Sequence, residues 1–196
     1  QPCHVAAADV VADRQRVVAL HAQFLQRFPA EDEGGFEGFA YVVLHPGAAV
    51  PSRRWSVAGY AHAARMLLDL DHRVVVTGGP DERHLAQAIA AEAPGIVDLT
   101  GACTLPELAG VLRGASVVVC GNTGPAHLAA AVGTPVVSLF SPVVPAAKWA
   151  PYGVPLRLLG DQEAPCRGTR ARVWPVPGHP CLERVRPEEV VRAVIA

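Results

Sequence analysis

The stretch Ser116-Val117-Val118-Val119-Cys120-Gly121-Asn122-Thr123-Gly124-Pro125-Ala126-His127-Leu128-Ala129-Ala130-Ala131 decides the fold. Its opening is a continuous apolar run without polar alternation, the pattern of a strand buried on both faces. Residues 121–124 form a turn signal. Pro125 suits the first helical turn, where its missing amide is not needed, and the alanine run continues as a helix until Gly133 stops it. Residues 135–140 then read as the next strand.

The same alternation extends toward the N-terminus. Residues 41–45 read as a buried strand, followed by a helix over 56–70 with Tyr60, Ala63, Ala64, Leu67 and Leu68 on one stripe. Residues 73–77 make a second strand, and a helix starting near Asp81 turns Leu85, Ile89 and Ala90 inward. A short strand covers 96–99. Thr104 and Glu107 then have the spacing of a capping box, with Pro106 in the first turn of a helix reaching Arg113. Apolar strands alternating with helices imply an α/β domain, a Rossmann-like doubly wound parallel sheet.

The domain spans residues 41–196. Residues 1–40 stand apart as a linker or docking helix over 9–28, followed by an acidic, glycine-rich loop. From Phe140 to Arg186 the chain is proline-rich and irregular, longer than an ordinary connection, and a last helix starts at Pro187 with Glu188 and Glu189 near its N-terminus.

Half of the 196 residues are hydrophobic (51%), enough for one good core. A net charge of -1 offers no general field for nucleic acid or an anionic membrane, so attraction for phosphate must be local. No apolar run approaches the roughly 20 residues of a spanning helix, and the start has no signal-peptide pattern. Five cysteines without C-x-x-C spacing read as reduced thiols. Cys103 and Cys120 are expected to be buried. Cys166 and Cys181, with His179 nearby, leave a disulfide or a metal open as alternatives to reduced loop thiols.

Ligands of open α/β sheets collect beyond the carboxyl ends of the strands, and the unusual residues cluster there. Gly47 and Ala48 follow the first strand and allow close backbone approach, while Arg53 and Arg54 suit a diphosphate or simply solvate a loop. Glu82 either serves its helix dipole or accepts from ribose hydroxyls. Beyond the fourth strand, the amides of Thr123 and Gly124 face the strand end at a helix N-terminus, an anion site that His127 either joins or merely packs beside. No G-x-G-x-x-G follows the first strand, and the phosphate-loop and nucleophile-elbow motifs are missing.

Together these loops resemble glycosyltransferase family 9, the ADP-heptose:lipopolysaccharide heptosyltransferases. The resemblance rests on His45-Pro46-Gly47-Ala48 with Arg53-Arg54-Trp55, on Gly78-Gly79-Pro80-Asp81-Glu82, on Leu99-Thr100-Gly101 with Leu105-Pro106-Glu107-Leu108, and on the run from Asn122 to Ala131. Cys181-Leu182 and Pro187-Glu188-Glu189-Val190 resemble the family's ending.

The resemblance implies one lobe of a two-lobed B-type glycosyltransferase, the one that binds a nucleotide sugar. The donor would be ADP-linked and heptose-like, with a glycan acceptor held by an N-terminal lobe that this chain lacks. Arg53, standing where the family usually has lysine, would contact the donor phosphates. Glu82 would meet the ribose, Cys103 and Thr104 the base, and Thr123, Gly124 and His127 the diphosphate. Asn122 replaces the usual aspartate, so the sugar need not be the standard heptose.

No metal or other cofactor is expected. The base that deprotonates the acceptor would lie in the other lobe, so the chain alone should not transfer sugar. A cytoplasmic enzyme is implied, with peripheral membrane association of the full protein left open. Two rival readings are a noncatalytic nucleotide-binding module and a two-lobed nucleotide-sugar epimerase.

Overall fold

A computed structural model describes residues 41–196; the expected helix and loop of residues 1–40 lie outside the described residues. Six parallel strands form one sheet: β1 (Tyr41–His45), β2 (Arg73–Val76), β3 (Val97–Asp98), β4 (Val117–Gly121), β5 (Val136–Leu139) and β6 (Leu156–Leu159). Their spatial order is β3-β2-β1-β4-β5-β6. The chain grows outward from β1 in one direction, then returns to β1's other side at β4. A crevice opens at that reversal, between the carboxyl ends of β1 and β4.

Both faces of the sheet are covered, so consecutive strand residues serve opposite cores. Val42, Leu44, Val74, Val76, Val119 and Leu139 face one cluster. Tyr41, Val43, Val75, Val118, Cys120 and Val136 face the other. On the first side lie α1 (Val57–Asp69), α2 (Arg83–Glu92) and the last helix, α7 (Pro187–Ile195), which packs against α1. On the second lie α3 (Leu105–Arg113) and α4 (Gly124–Ala131). Leu44, Leu67 and Leu112 are fully buried, and truncating any one to alanine removes about 2–5 kcal/mol.

Local signals set the boundaries. Ser56 caps α1 by accepting from the Gly59 amide at 3.2 Å. The Thr104 amide and hydroxyl both donate to Glu107 Oε2, at 2.6 and 2.7 Å, which closes the expected capping box. Gly133 takes φ +87 just past α4 and ends it. The start near Asp81 is a 3-10 turn, Pro80–Glu82, before α2 proper begins at Arg83.

The proline-rich region holds more structure than its sequence suggests. It carries β6, the short helix α5 (Ala146–Trp149) and another, α6 (Pro180–Glu183). Arg157 and Leu158 of β6 are exposed, so this edge strand lacks the all-apolar signature of its neighbours.

Candidate functional site

A cleft of about 230 Å³ lies at the strand reversal, lined by His45, Gly47, Ala48, Ala49, Val50, Arg53, Glu82, Thr123, Gly124 and Pro125. Three loops converge there, from the ends of β1, β2 and β4.

The β1 loop supplies the floor. His45 ends the strand, and its Nδ1 lies 3.0 Å from Thr77 Oγ1. Burial holds this imidazole's pKa below the ordinary value, with Glu82 pulling partly the other way, so it is neutral at pH 7. Gly47 carries the closest packing in the site: a Cβ there would land on the Glu82 carboxylate. Glu82 reaches across from the β2 loop while its Oε2 accepts from the Gly79 amide at 2.8 Å.

The two arginines separate in role. Arg53 ends a 3-10 turn, Pro51–Arg53, and its Nη1 donates to the Asn122 carbonyl at 3.3 Å. Its Nε is buried without a hydrogen-bond partner. A buried, unmatched guanidinium nitrogen costs free energy. Arg54 instead donates to the Ala48 carbonyl at 2.8 Å and does not line the cleft. Trp55 is buried edge-on against Tyr60, with ring centroids 5.0 Å apart, over the start of α1.

The β4 loop supplies a helix terminus. Thr123 is the N-cap of α4 and makes no side-chain cap bond; its amide, expected to be open to an anion, instead donates to the Gly121 carbonyl at 2.9 Å, which leaves the Gly124 amide as the open donor. The Gly124 amide, as the first of the helix, has no intrahelical acceptor, and Pro125 beside it has no amide. The positive end of α4 is therefore unshielded by its own side chains and faces the cleft.

Six of the ten residues singled out from sequence meet in this cleft: Gly47, Ala48, Arg53, Glu82, Thr123 and Gly124. Four do not line it. Asn122 is buried, its side chain paired with the Ser141 amide and carbonyl, each at 3.4 Å. His127 lies on the exposed face of α4. Cys103 and Thr104 sit beyond β3, two strands away from β1, with Thr104 engaged in its capping box. His45, Ala49, Val50 and Pro125 complete the lining. His45 and Pro125 belong to the quoted motifs, and Ala49 and Val50 simply continue the β1 loop beyond Ala48.

Cys120 is buried as expected, whereas Cys103 is only partly buried, in the loop before α3. Burial pushes the Cys120 thiol up to about 12 and raises Cys103, with Glu107 adding to the latter. Cys166 and Cys181 are buried free thiols, and Cys181 Sγ lies 3.8 Å from Ser141 Oγ. Among the described residues, no cluster of three or more His, Cys, Asp or Glu side chains is arranged for a metal ion. No helix among them is long and apolar enough to cross a membrane.

Comparison with known proteins gives a consistent result. The sequence model of "Glycosyltransferase family 9 (heptosyltransferase)" matches residues 4–175. Lipopolysaccharide heptosyltransferase 3 of Escherichia coli is 36% identical over 107 residues, 53% of this chain and 32% of that protein. Among solved structures, a family 9 glycosyltransferase from Veillonella parvula superposes with a TM-score of 0.73 at 20% identity, over 92% of this chain and 50% of its own. The E. coli ADP-heptose lipopolysaccharide heptosyltransferase II gives 0.66 at 19% identity, over 98% and 52%. The match thus spans about a third of the curated relative and about half of each solved chain.

Proposed function

The chain belongs to glycosyltransferase family 9, and from that premise we propose that its cleft binds the nucleoside diphosphate of a sugar donor. The observation that carries this reading is the meeting of the Arg53 side chain and the uncapped N-terminus of α4 in one cleft. Fixed positive groups of this kind match the charge that develops on a departing diphosphate.

The nucleotide is ADP in this reading, because the E. coli structural relative is named for ADP-heptose. The diphosphate lies between Arg53 and the Gly124 amide at the start of α4, beside Thr123, with His127 at the outer edge of that turn. Gly47 and Ala48 let it approach the β1 loop, Glu82 accepts from the ribose hydroxyls, and the base extends over β2 and β3 toward Cys103 and Thr104. The sugar carbon takes on oxocarbenium character as the diphosphate leaves. Arg53 and the helix terminus supply the positive charge, so the reading assigns no metal. The sugar is heptose-like and the acceptor a glycan, held together with its base by a second lobe outside residues 41–196.

Asn122 favours a second reading, a binding module without transfer. Its amide is turned inward onto Ser141 rather than toward the cleft.

Calorimetric titration with ADP, UDP and GDP tests the donor site. Selective ADP binding supports the reading, a preference for UDP or GDP changes the donor, and a folded protein that binds none of them removes it. Hydrolysis of a bound nucleotide sugar to free sugar would count against the module.

A further inference from the structure

The irregular chain after β6 crosses the turn that carries Arg53 and fastens to it. Ser52 is fully buried; its amide donates to the Arg172 carbonyl at 3.2 Å and its hydroxyl to the Ala171 carbonyl at 2.6 Å. Trp174 Nε1 donates to the Pro51 carbonyl at 2.7 Å. His179 Nε2 lies 3.1 Å from the Ser52 carbonyl. A carbonyl only accepts, so Nε2 carries the proton, and Nδ1 is left bare, buried and without a partner. The Trp174 and His179 rings stack, with centroids 5.1 Å apart and planes 15° from parallel.

This strap is itself anchored at both ends. The Gly168 and Arg170 amides donate to the Pro142 and Val143 carbonyls, each at 2.8 Å. Beyond His179, Cys181 and Leu182 are buried in the core. On its far side the turn meets β4, where a Cβ on Gly121 would lie 2.7 Å from the Arg53 carbonyl. The turn is gripped between the strap and the strand.

We infer that Trp174 and His179 are positioning residues that aim Arg53 at the donor phosphate, an inference that rests on the phosphate role proposed above for Arg53. The three-residue turn has no side-chain cap of its own. The two strap nitrogens instead fix the peptide planes on either side of Ser52, and so the direction in which the Arg53 side chain leaves the backbone. A loop ordered beforehand loses less freedom when the ligand arrives, which favours affinity.

The test is a double-mutant cycle on ADP binding by the full 196-residue chain, with the parent, Trp174→Phe, Arg53→Ala and the double variant. Phenylalanine keeps an aromatic ring beside His179 and removes the N–H together with part of the indole's area. Trp174→Phe should weaken ADP about fivefold in the parent, and change it less than about twofold once Arg53 is alanine. His179→Ala should behave alike, with His179→Gln, which retains an amide donor, restoring much of the affinity. Melting curves identify any variant that has unfolded, and Trp174→Phe, at a half-exposed position, carries the test if His179→Ala does not fold. An equal loss in both backgrounds, or none in either, overturns the positioning role while leaving the phosphate site standing. If Arg53→Ala binds ADP as tightly as the parent, the phosphate reading falls and the positioning role falls with it.

Discussion

The loops after β1 and after β3 are both short, polar and next to a helix, yet they use their polar groups in opposite ways. Beyond β3, Thr104 and Glu107 satisfy each other at the start of α3, and Asp98 accepts from the Thr100 amide at 2.8 Å, although Thr100 Oγ1 is buried without a partner. Beyond β1, Arg53 keeps a buried nitrogen unpaired, and the facing terminus of α4 has no side-chain cap. A closed loop stabilises the fold with its hydrogen bonds, whereas an open one holds them ready for a ligand. The two loops should therefore respond differently to mutation.

The largest expected effect is at the open loop. Arg53→Ala should weaken both ADP and inorganic diphosphate about 30-fold by calorimetry, the worth of a charge-assisted hydrogen bond, with a melting temperature within about 2 °C of the parent. Next comes Gly47→Ala, which forces the Glu82 carboxylate off the Gly79 amide. ADP should weaken about tenfold and inorganic diphosphate less, because in this account ADP loses Glu82 at the ribose as well as the close approach of the diphosphate to the β1 loop.

At the closed loop, Glu107→Ala should cost about 1 kcal/mol and lower the melting temperature by about 4 °C. Inorganic diphosphate affinity should not change. A large loss of diphosphate binding in that variant would break the contrast between the two loops.

The smallest effect is a pH dependence of stability. Burial keeps the His45 and His179 imidazoles below their ordinary pKa of 6.5. As pH falls through 6.5 the unfolded chain takes up these protons and the folded one does not. Stability is therefore full above that pH and is lost progressively below it, toward the folded pKa values. Melting curves of a His45→Gln, His179→Gln variant should be flatter across that window than those of the parent.

The same contrast explains what could be read from sequence. The strands β1, β2, β4 and β5 were legible because each is a continuous apolar run buried on both faces; β3, with Asp98 exposed, was legible only as a short apolar piece in the βα alternation. The capping box of α3 was legible because its partners lie three residues apart. In contrast, β6 escaped because an edge strand with Arg157 and Leu158 exposed has no such pattern. The strap escaped for a different reason: Ser52, Ala171, Arg172 and Trp174 meet largely through backbone carbonyls, across more than a hundred residues. No side-chain chemistry marks a carbonyl. At the site, the residues named for chemistry aimed at a strand end largely converged. Asn122 did not line the cleft, because its side chain found a backbone partner in Ser141, which spacing does not reveal.

A crystal structure of the chain with ADP tests the central claim most directly. The account predicts the diphosphate between the Arg53 guanidinium and the Gly124 amide, with a phosphate oxygen within hydrogen-bond distance of a guanidinium nitrogen of Arg53. A nucleotide bound elsewhere, or one in this cleft whose phosphates lie beyond hydrogen-bond reach of the Arg53 guanidinium, would contradict it.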